Sequence, residues 1–581
     1  MSNFKTEDIV FGRCLRDPGY NVDFAVGTTY SLDLDTFISL PFSLGILEEP
    51  DEVMKKSVVY IFSALRTCSD KLAVFCNFSD ISVPPQTKKI YYALMENSVF
   101  SINATKKKNQ IVNFHPKVWV IKETNLQQET IIKVIVMSRN LTKDGSLDCI
   151  CILNGKVGAK PAPKYSQLKH EPLCAFLKYL GNRADPKKRT KIGHIIDDIL
   201  KIKAFDIEDS IYDDYDFFPM GITGYSGLDA LEEIADYSYD AVVVSPFLDD
   251  LAMDRFQSAR NRFLLTREDS ITEKALDIFG YENIWTMNPQ MIDNDLDESV
   301  NLHAKMYFST PRGTSDHYLY LGSTNATMGG FERNVEFLVR LKFRQNRTSF
   351  SDFTSFFTKD DEKRFSQMID LPADLRERLE DYNNTQKVRK LIASIKEATV
   401  SKEGDLYSVS LRIEESDIQA KMYPILRPDM KMRISPDLTF HKMSMIELSE
   451  FYVIETKDLS RVVKIPTKGI PQGRDDEICR KIIDTPDKFM DCISFLLSED
   501  KTAYVIERMT NRGLYGKKGD QRGDKIVFSS VYESMLSQAY DSPDLFKDIR
   551  TFVDSLPPDL VPKEFESLYR MMSKAFKSIR K

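Results

Sequence analysis

Apolar residues in the first 345 positions fall into short, nearly continuous runs, separated by polar breaks and by longer amphipathic stretches. Runs of this length, rich in Val, Ile, Leu and Phe, predict buried strands, and the amphipathic stretches predict helices packed on a sheet. The alternation predicts an α/β architecture. Laid side by side, two parts of the chain carry the same series. VDFAVGTTYSLDLDTF (22–37) matches YDAVVVSPFLDDLAMDRF (239–256), and KLAVFCNFSD (71–80) matches RFLLTRED (262–269). FHPKVWVIK (114–122) matches LHAKMYFST (302–310), KVIVMSRNLT (133–142) matches YLYLGSTNAT (318–327), and DCICILNG (148–155) matches VEFLVRLK (335–342). Five matches in one order describe a duplicated domain, because the unit is too long for a solenoid repeat.

The repeat sets the domain organisation: a first half over 1–160, a helical insert and linker over 161–225, a second half over 226–345 and a C-terminal mixed domain over 346–581. SQLKHEPLCAFLKYLGN and KIGHIIDDILKIKAF have helical spacing, whereas the acidic-aromatic DSIYDDYDFFPM that follows predicts a loop. Alternation in YSVSLRIEE and FYVIETKD predicts strands between 400 and 470, and the pattern beyond 474 is mainly helical. The C-terminal domain is expected to bind substrate or a partner.

Two of the six histidines stand in matched frames, as His115-Pro116-Lys117 and His303-Ala304-Lys305. On a strand positions i and i+2 face one side, so each histidine and its lysine are expected to point together. An imidazole beside a cation is what phosphoryl transfer asks for: one group to attack or donate a proton, one to neutralise phosphate oxygens. Ser138-Arg139-Asn140 and Gly322-Ser323-Thr324-Asn325 end the following strands, where hydroxyl, amide and backbone N–H groups can cradle phosphate. Asp148 and Glu336 open the next strands, and a carboxylate on one imidazole nitrogen fixes the tautomer of the other. His170, His194, His317 and His441 have no such pattern and are expected to be structural, although His317 opens the strand that carries Gly322 and could approach the site.

These half-sites resemble the phospholipase D superfamily, whose motif runs HxK, then GSxN, then an acid, twice about a pseudo-two-fold axis. The second half matches with HAK, GSTN and Asn334-Val335-Glu336; the first departs at Met137, where glycine is usual. The family's aspartate seven places after the histidine is replaced by Lys122 and Thr310, as in its nucleic-acid phosphodiesterases such as the tyrosyl-DNA phosphodiesterases. The resemblance covers residues 20–345 and implies a pseudo-dimeric α/β core with one composite site. It implies a two-step reaction without metal or cofactor, with His115 as nucleophile and His303 as general acid. Lys117, Lys305, Asn140 and Asn325 would hold the non-bridging oxygens, Ser138 and Ser323 would support them, and Asp148 and Glu336 would orient the histidines.

The substrate expected on this reading is nucleic acid, DNA first, and the layout suggests a restriction or phage-defence effector beside a motor ATPase or helicase. A phospholipid phosphodiesterase or phosphatidyl transferase is the second reading, and a non-catalytic nucleic-acid-binding subunit the third. Composition changes this picture little. With 581 residues, 42% apolar and 29% charged, the chain suits a soluble multidomain protein. Its net charge of −7 is not the basic balance of many DNA-binding modules, so phosphate contact would fall to local patches: Lys106–Lys108, Lys187–Lys191 and Arg508–Lys525, where Tyr515 could stack on a base. The eight cysteines form no CxxC pair, predicting reduced thiols rather than a zinc knuckle. MSNFKTEDIVFG lacks the form of a secretory signal and no run approaches 18 apolar residues, so a cytoplasmic protein away from membranes is expected. The last helix, with Phe565, Leu568, Met571, Met572 and Phe576 beside Lys574, Lys577, Arg580 and Lys581, is a faint membrane-binding candidate, expected instead to pack on its own domain.

Overall fold

The computed structural model describes residues 14–44, 65, 68–82, 91–106, 110–142, 146–207, 211–287, 292–293, 298–299, 301–344, 346–359, 364–368, 389–413, 420–456 and 460–483, with scattered residues from 485 to 571. Arg508–Lys525, Lys107, Lys108 and the chain beyond Met571 lie outside the described residues.

Two mixed sheets carry the repeat, and their strands lie in the same order. The first runs 206–207, 150–156, 130–137, 118–125, 20–29, 72–77, 99–102. The second runs 214–220, 336–344, 316–322, 306–311, 238–244, 261–266, 284–287, 365–367. In each, the first strand of the half pairs parallel with the second and antiparallel with the strand that follows HxK. One core lies between the sheets: Phe24, Val26, Phe75, Val120 and Val136 share it with Val244, Phe263, Phe308, Leu321 and Phe337. Because both sheets are covered on two faces, their central strands read as unbroken apolar runs rather than alternating ones. The fold is therefore the duplicated α/β core that the repeat predicts.

The helical insert forms two helices, Lys164–Gly181 and Pro186–Ile199, whose Phe176, Leu177, Ile192 and Ile195 enter the shared core. DYDFFPM, expected to be a loop, is instead the edge strand Asp214–Met220, paired with Glu336–Lys342. Its alternation explains this: Tyr215 and Phe217 face the core, while Asp214 and Asp216 face outward to Lys169 and Arg340. Pro219 is tolerated because the strand lies at the sheet edge. Three lysines of the basic run Lys187–Lys191 tie it to Ser69 and Asp70. The run opens the second helix, where Lys188 is buried and donates to the Ser69 carbonyl, and Lys187 and Lys191 pair with Asp70.

The C-terminal region grows directly out of the first half. Leu32–Asp33 and Ile81–Ser82, which follow the first two strands, extend a sheet continued by 460–464, 451–455, 421–424 and 432–433. Under it a buried cluster joins the two: Arg474 donates to Glu96, Ser449 Oγ donates to Glu96 Oε2 at 3.0 Å, and Lys464 Nζ donates to the Glu96 carbonyl at 2.7 Å. Phe565 of the last helix packs on Phe489 inside its own domain.

Candidate active site

Each HxK segment is clamped by backbone to the other half. The His115 N–H donates to the Val335 carbonyl (2.9 Å), and the Val335 N–H donates to the Asn113 carbonyl (2.9 Å). In mirror fashion Ser146–Leu147 pairs parallel with Asn301–Leu302, and the N–H groups of His303 and Ala304 donate to the Leu147 carbonyl at 3.0 and 2.8 Å. The acid next to each clamp is thereby delivered to the opposite histidine. His115 Nδ1 lies 2.9 Å from Glu336 Oε2, and His303 Nδ1 lies 2.8 Å from Asp148 Oδ1. The pairs cross the pseudo-two-fold, so neither half can form its histidine–acid pair alone.

Both serines serve the carboxylates. Ser138 Oγ donates to Asp148 Oδ1 at 2.6 Å and accepts the Cys149 N–H at 2.9 Å; Ser323 Oγ donates to Glu336 and accepts the Phe337 N–H at 3.0 Å. Ser146 and Asn334 each add a bond, to Asp148 (2.7 Å) and Glu336 (3.2 Å). The lysines turn back on their histidines. Lys117 Nζ is 3.1 Å from His115 Nε2 and donates to its carbonyl at 3.0 Å, and Lys305 Nζ donates to the His303 carbonyl at 2.5 Å. Asn140 Oδ1 accepts the Ser31 N–H at 3.4 Å, while Asn325 Oδ1 is buried with no hydrogen-bond partner. A buried acceptor left open is a cost that a donor on a bound molecule would relieve.

Met137 stands where the second half has Gly322, and the backbone explains the difference. Gly322 has φ of 152°, and a Cβ there would lie 2.3 Å from the Phe337 carbonyl oxygen; Met137 takes an ordinary negative φ and packs in the core. The positions of the missing aspartates are structural ties: Lys122 pairs with Asp198 at 2.7 Å, and Thr310 Oγ1 donates to Asp240 at 3.1 Å. His317 does not approach the site. It lies between Phe308 and Phe343 with Nδ1 on the Thr348 carbonyl. His170 meets Tyr215, and His441 meets Glu403 at the surface.

Burial, with Lys117 and Lys305 adding to it, holds the His115 imidazole well below its ordinary pKa. Burial also brings His303 down to about 4 and Lys305 down to about 8, and it pushes Glu336 up to about 7 against the pull of Lys117. Asp148 behaves oppositely. Burial would raise its pKa, but the bonds from His303, Ser138 and Ser146 outweigh that and hold it below the carboxylate range. At neutral pH the arrangement is two neutral imidazoles. His115 is satisfied with its proton on Nδ1 toward Glu336 and a lone pair on Nε2. Each histidine feels the other half's lysine, so all four groups share one site. An imidazole lone pair, a second imidazole backed by a carboxylate anion and two lysines form a set suited to in-line attack on a phosphodiester. The chain resembles the phospholipase D superfamily.

No family model matches the chain, and no curated protein matches it by sequence. Three solved structures of that superfamily show a slight likeness. Yeast tyrosyl-DNA phosphodiesterase is 10% identical, over 59% of this chain and 87% of its own, with a TM-score of 0.35. Phosphatidylserine synthase of Haemophilus influenzae is 10% identical over 66% and 90%, with a TM-score of 0.32. NucT of Helicobacter pylori is 13% identical over 25% and 94%, with a TM-score of 0.20.

Several neighbours of the phospholipase D-like site escape sequence reasoning. Thr29 Oγ1 and Ser245 Oγ each accept, at 2.9 Å, the N–H of the residue after the cradle asparagine, Leu141 or Ala326. Their signal was present, a hydroxyl residue ending the first strand of each half. Tyr30 packs on His115 with ring centroids 4.9 Å apart. Arg267 donates Nε to the Leu302 carbonyl at 2.8 Å and lies over the ring of Phe247, a residue 45% exposed. Arg389 reaches the His115 side from the C-terminal region, far from any motif.

Proposed function

We propose that the chain is a metal-independent phosphodiesterase that cuts DNA through a phosphohistidine. The crossed histidine–acid pairs carry this reading, because they give two imidazoles of different character, each within the electrostatic reach of the other half's lysine. His115 Nε2 attacks phosphorus, and the P–O bond to the leaving nucleoside breaks. The bound phosphodiester anion offsets Lys117 and Lys305, which raises the proton affinity of His303; Asp148 supports the imidazolium, and His303 Nε2–H gives its proton to the leaving oxygen. His303, neutral again, takes a proton from water as that water displaces His115 from phosphorus. The lysines and the Nδ2 amide of Asn325 would donate to the phosphoryl oxygens.

Nucleic acid is favoured over a phospholipid by what rims the site. Arg139 stands 3.5 Å from Asp148, Arg267 beside His303's lead-in and Arg461 near Tyr30, giving counter-charge for phosphates. Phe247, exposed and covered on one side by Arg267, offers a surface on which a base can stack.

The test is cleavage of single- and double-stranded DNA in excess EDTA, beside His115→Ala and His303→Ala. Cleavage that survives EDTA and is lost in both variants is the expected result. Cleavage abolished by EDTA would sink the mechanism. Inert DNA with hydrolysis of phospholipid vesicles would replace the nuclease reading by the lipid one.

A further inference from the structure

The two halves hold the residue before each histidine in different ways. Asn77 and Arg267 occupy the same place, at the end of the second strand of their halves. Asn77 Oδ1 accepts the Phe114 N–H at 3.0 Å, and Arg267 Nε donates to the Leu302 carbonyl at 2.8 Å. The second half thus encodes a guanidinium beside its own HxK segment, and the first half has only a short amide there. A guanidinium is nevertheless present, and it comes from outside the duplicated core. Arg389 stands in the helical turns 389–394 that lead into the C-terminal strand Ile395–Glu403.

Three routes run from Arg389 to residues 113–115. Its Nη1 donates to Asn113 Oδ1 at 2.9 Å, on the residue whose carbonyl holds the cross-half backbone clamp. Its Nη2 donates to the Tyr30 hydroxyl, and the Tyr30 ring packs on the His115 imidazole at a tilt of 58°. The same nitrogen lies 3.6 Å from Asp80 Oδ2, which accepts the Asn77 amide at 2.7 Å, and Asn77 in turn holds Phe114. Only 12% of the Arg389 side chain and 13% of the Asp80 side chain are exposed, so the fork is held in a dry, low-dielectric place where its bonds count. A planar fork can satisfy three differently placed partners at once, and a lysine ammonium in that position could not reach all of them.

We propose that Arg389 is a positioning residue for His115, supplied by the C-terminal region in place of the arginine that the second half carries at 267. The His115 half-site is then complete only with the C-terminal region docked, and the His303 half-site is built within the duplicated core. The site's two arms are unequal: one answers to whatever the C-terminal region binds. This rests on His115 being a reacting group, and the experiment separates the two ideas.

Full-length wild type, Arg389→Ala, Arg389→Lys and Tyr30→Phe are treated with diethyl pyrocarbonate without substrate. Modification at His115 and at His303 is followed by peptide mass spectrometry, and kcat and KM are measured on single-stranded DNA with and without added guanidinium. Arg389→Ala is expected to change the His115 rate about tenfold and leave His303 within about twofold. Turnover should fall about tenfold in kcat at nearly constant KM, with partial recovery by guanidinium. Arg389→Lys and Tyr30→Phe should shift His115 in the same direction and less, which keeps the test open if Arg389→Ala does not fold. An unchanged His115, or equal changes at both histidines, overturns the proposal. A wild type that cuts no DNA would remove the nuclease reading, and the reactivity comparison would still decide the role of Arg389.

Discussion

The His115 and His303 half-sites share strand order, clamp and hydrogen-bond scheme, yet their acids are held in opposite states. Asp148 receives bonds from His303, Ser138 and Ser146 and stays anionic, whereas Glu336 lies fully buried and its carboxyl is pushed up to about 7. An anion behind His303 favours the imidazolium that a general acid must form. A carboxyl whose ionisation burial opposes, standing behind His115, favours the neutral imidazole that a nucleophile needs. Duplication supplied two equal scaffolds with three donors on each acid, and the deeper burial of Glu336 made the two histidines different.

The largest effect should come from removing the histidines one at a time on a DNA substrate ending in p-nitrophenyl phosphate. His115→Ala should lose at least about a thousandfold and form no covalent adduct. His303→Ala should release p-nitrophenol in a burst and accumulate the DNA-linked phosphoryl group on His115, detected by mass spectrometry, because a good leaving group needs no acid. An adduct on His303 in His115→Ala would reverse the roles. Next come the acids. Asp148→Asn should lower kcat about a hundredfold, and Glu336→Gln about tenfold at pH 7, because a neutral amide resembles the protonated carboxyl that burial favours at Glu336. Equal losses would erase the difference between the half-sites.

A smaller effect concerns pH. Lys305, brought down to about 8, loses its proton as pH rises through that value, so kcat/KM should fall about tenfold per unit above it. Lys305→Arg keeps its charge, so that limb should vanish while activity below pH 8 is retained in part. A limb that survives the arginine belongs to another group. Smallest is the outer rim. Phe247→Ala should raise KM about fivefold on single-stranded DNA and change little on double-stranded DNA, where bases are already stacked. An equal effect on both would place Phe247 outside the substrate path.

Much of the candidate site is legible in the sequence because its chemistry is local. HxK on an extended segment puts two side chains on one face whatever the rest of the chain does, and the strand-end serines and asparagines lie a fixed distance on. The edge strand Asp214–Met220 was misjudged because its aspartates and proline look like turn residues, while its Tyr215 and Phe217 alternation carried the true signal. That Lys187 and Lys191 pair with Asp70 was not legible, because a basic run has no sequence mark for whether a partner covers it.

The sequence by itself determined the duplication, the order of strands, the α/β class and the identity of the two HxK pairs, since each follows from short-range periodicity repeated in order. Only the tertiary structure decided who meets whom. Asp148 follows His115 by 33 residues and Glu336 follows His303 by 33, so spacing alone would pair each acid with its own histidine. The fold pairs them crosswise, over 221 and 155 residues, because the clamps at Val335 and Leu147 join the halves face to face. Arg389 enters the His115 side on the same ground: its place is set by the C-terminal sheet that continues from Leu32–Asp33 and Ile81–Ser82, and no local pattern records it.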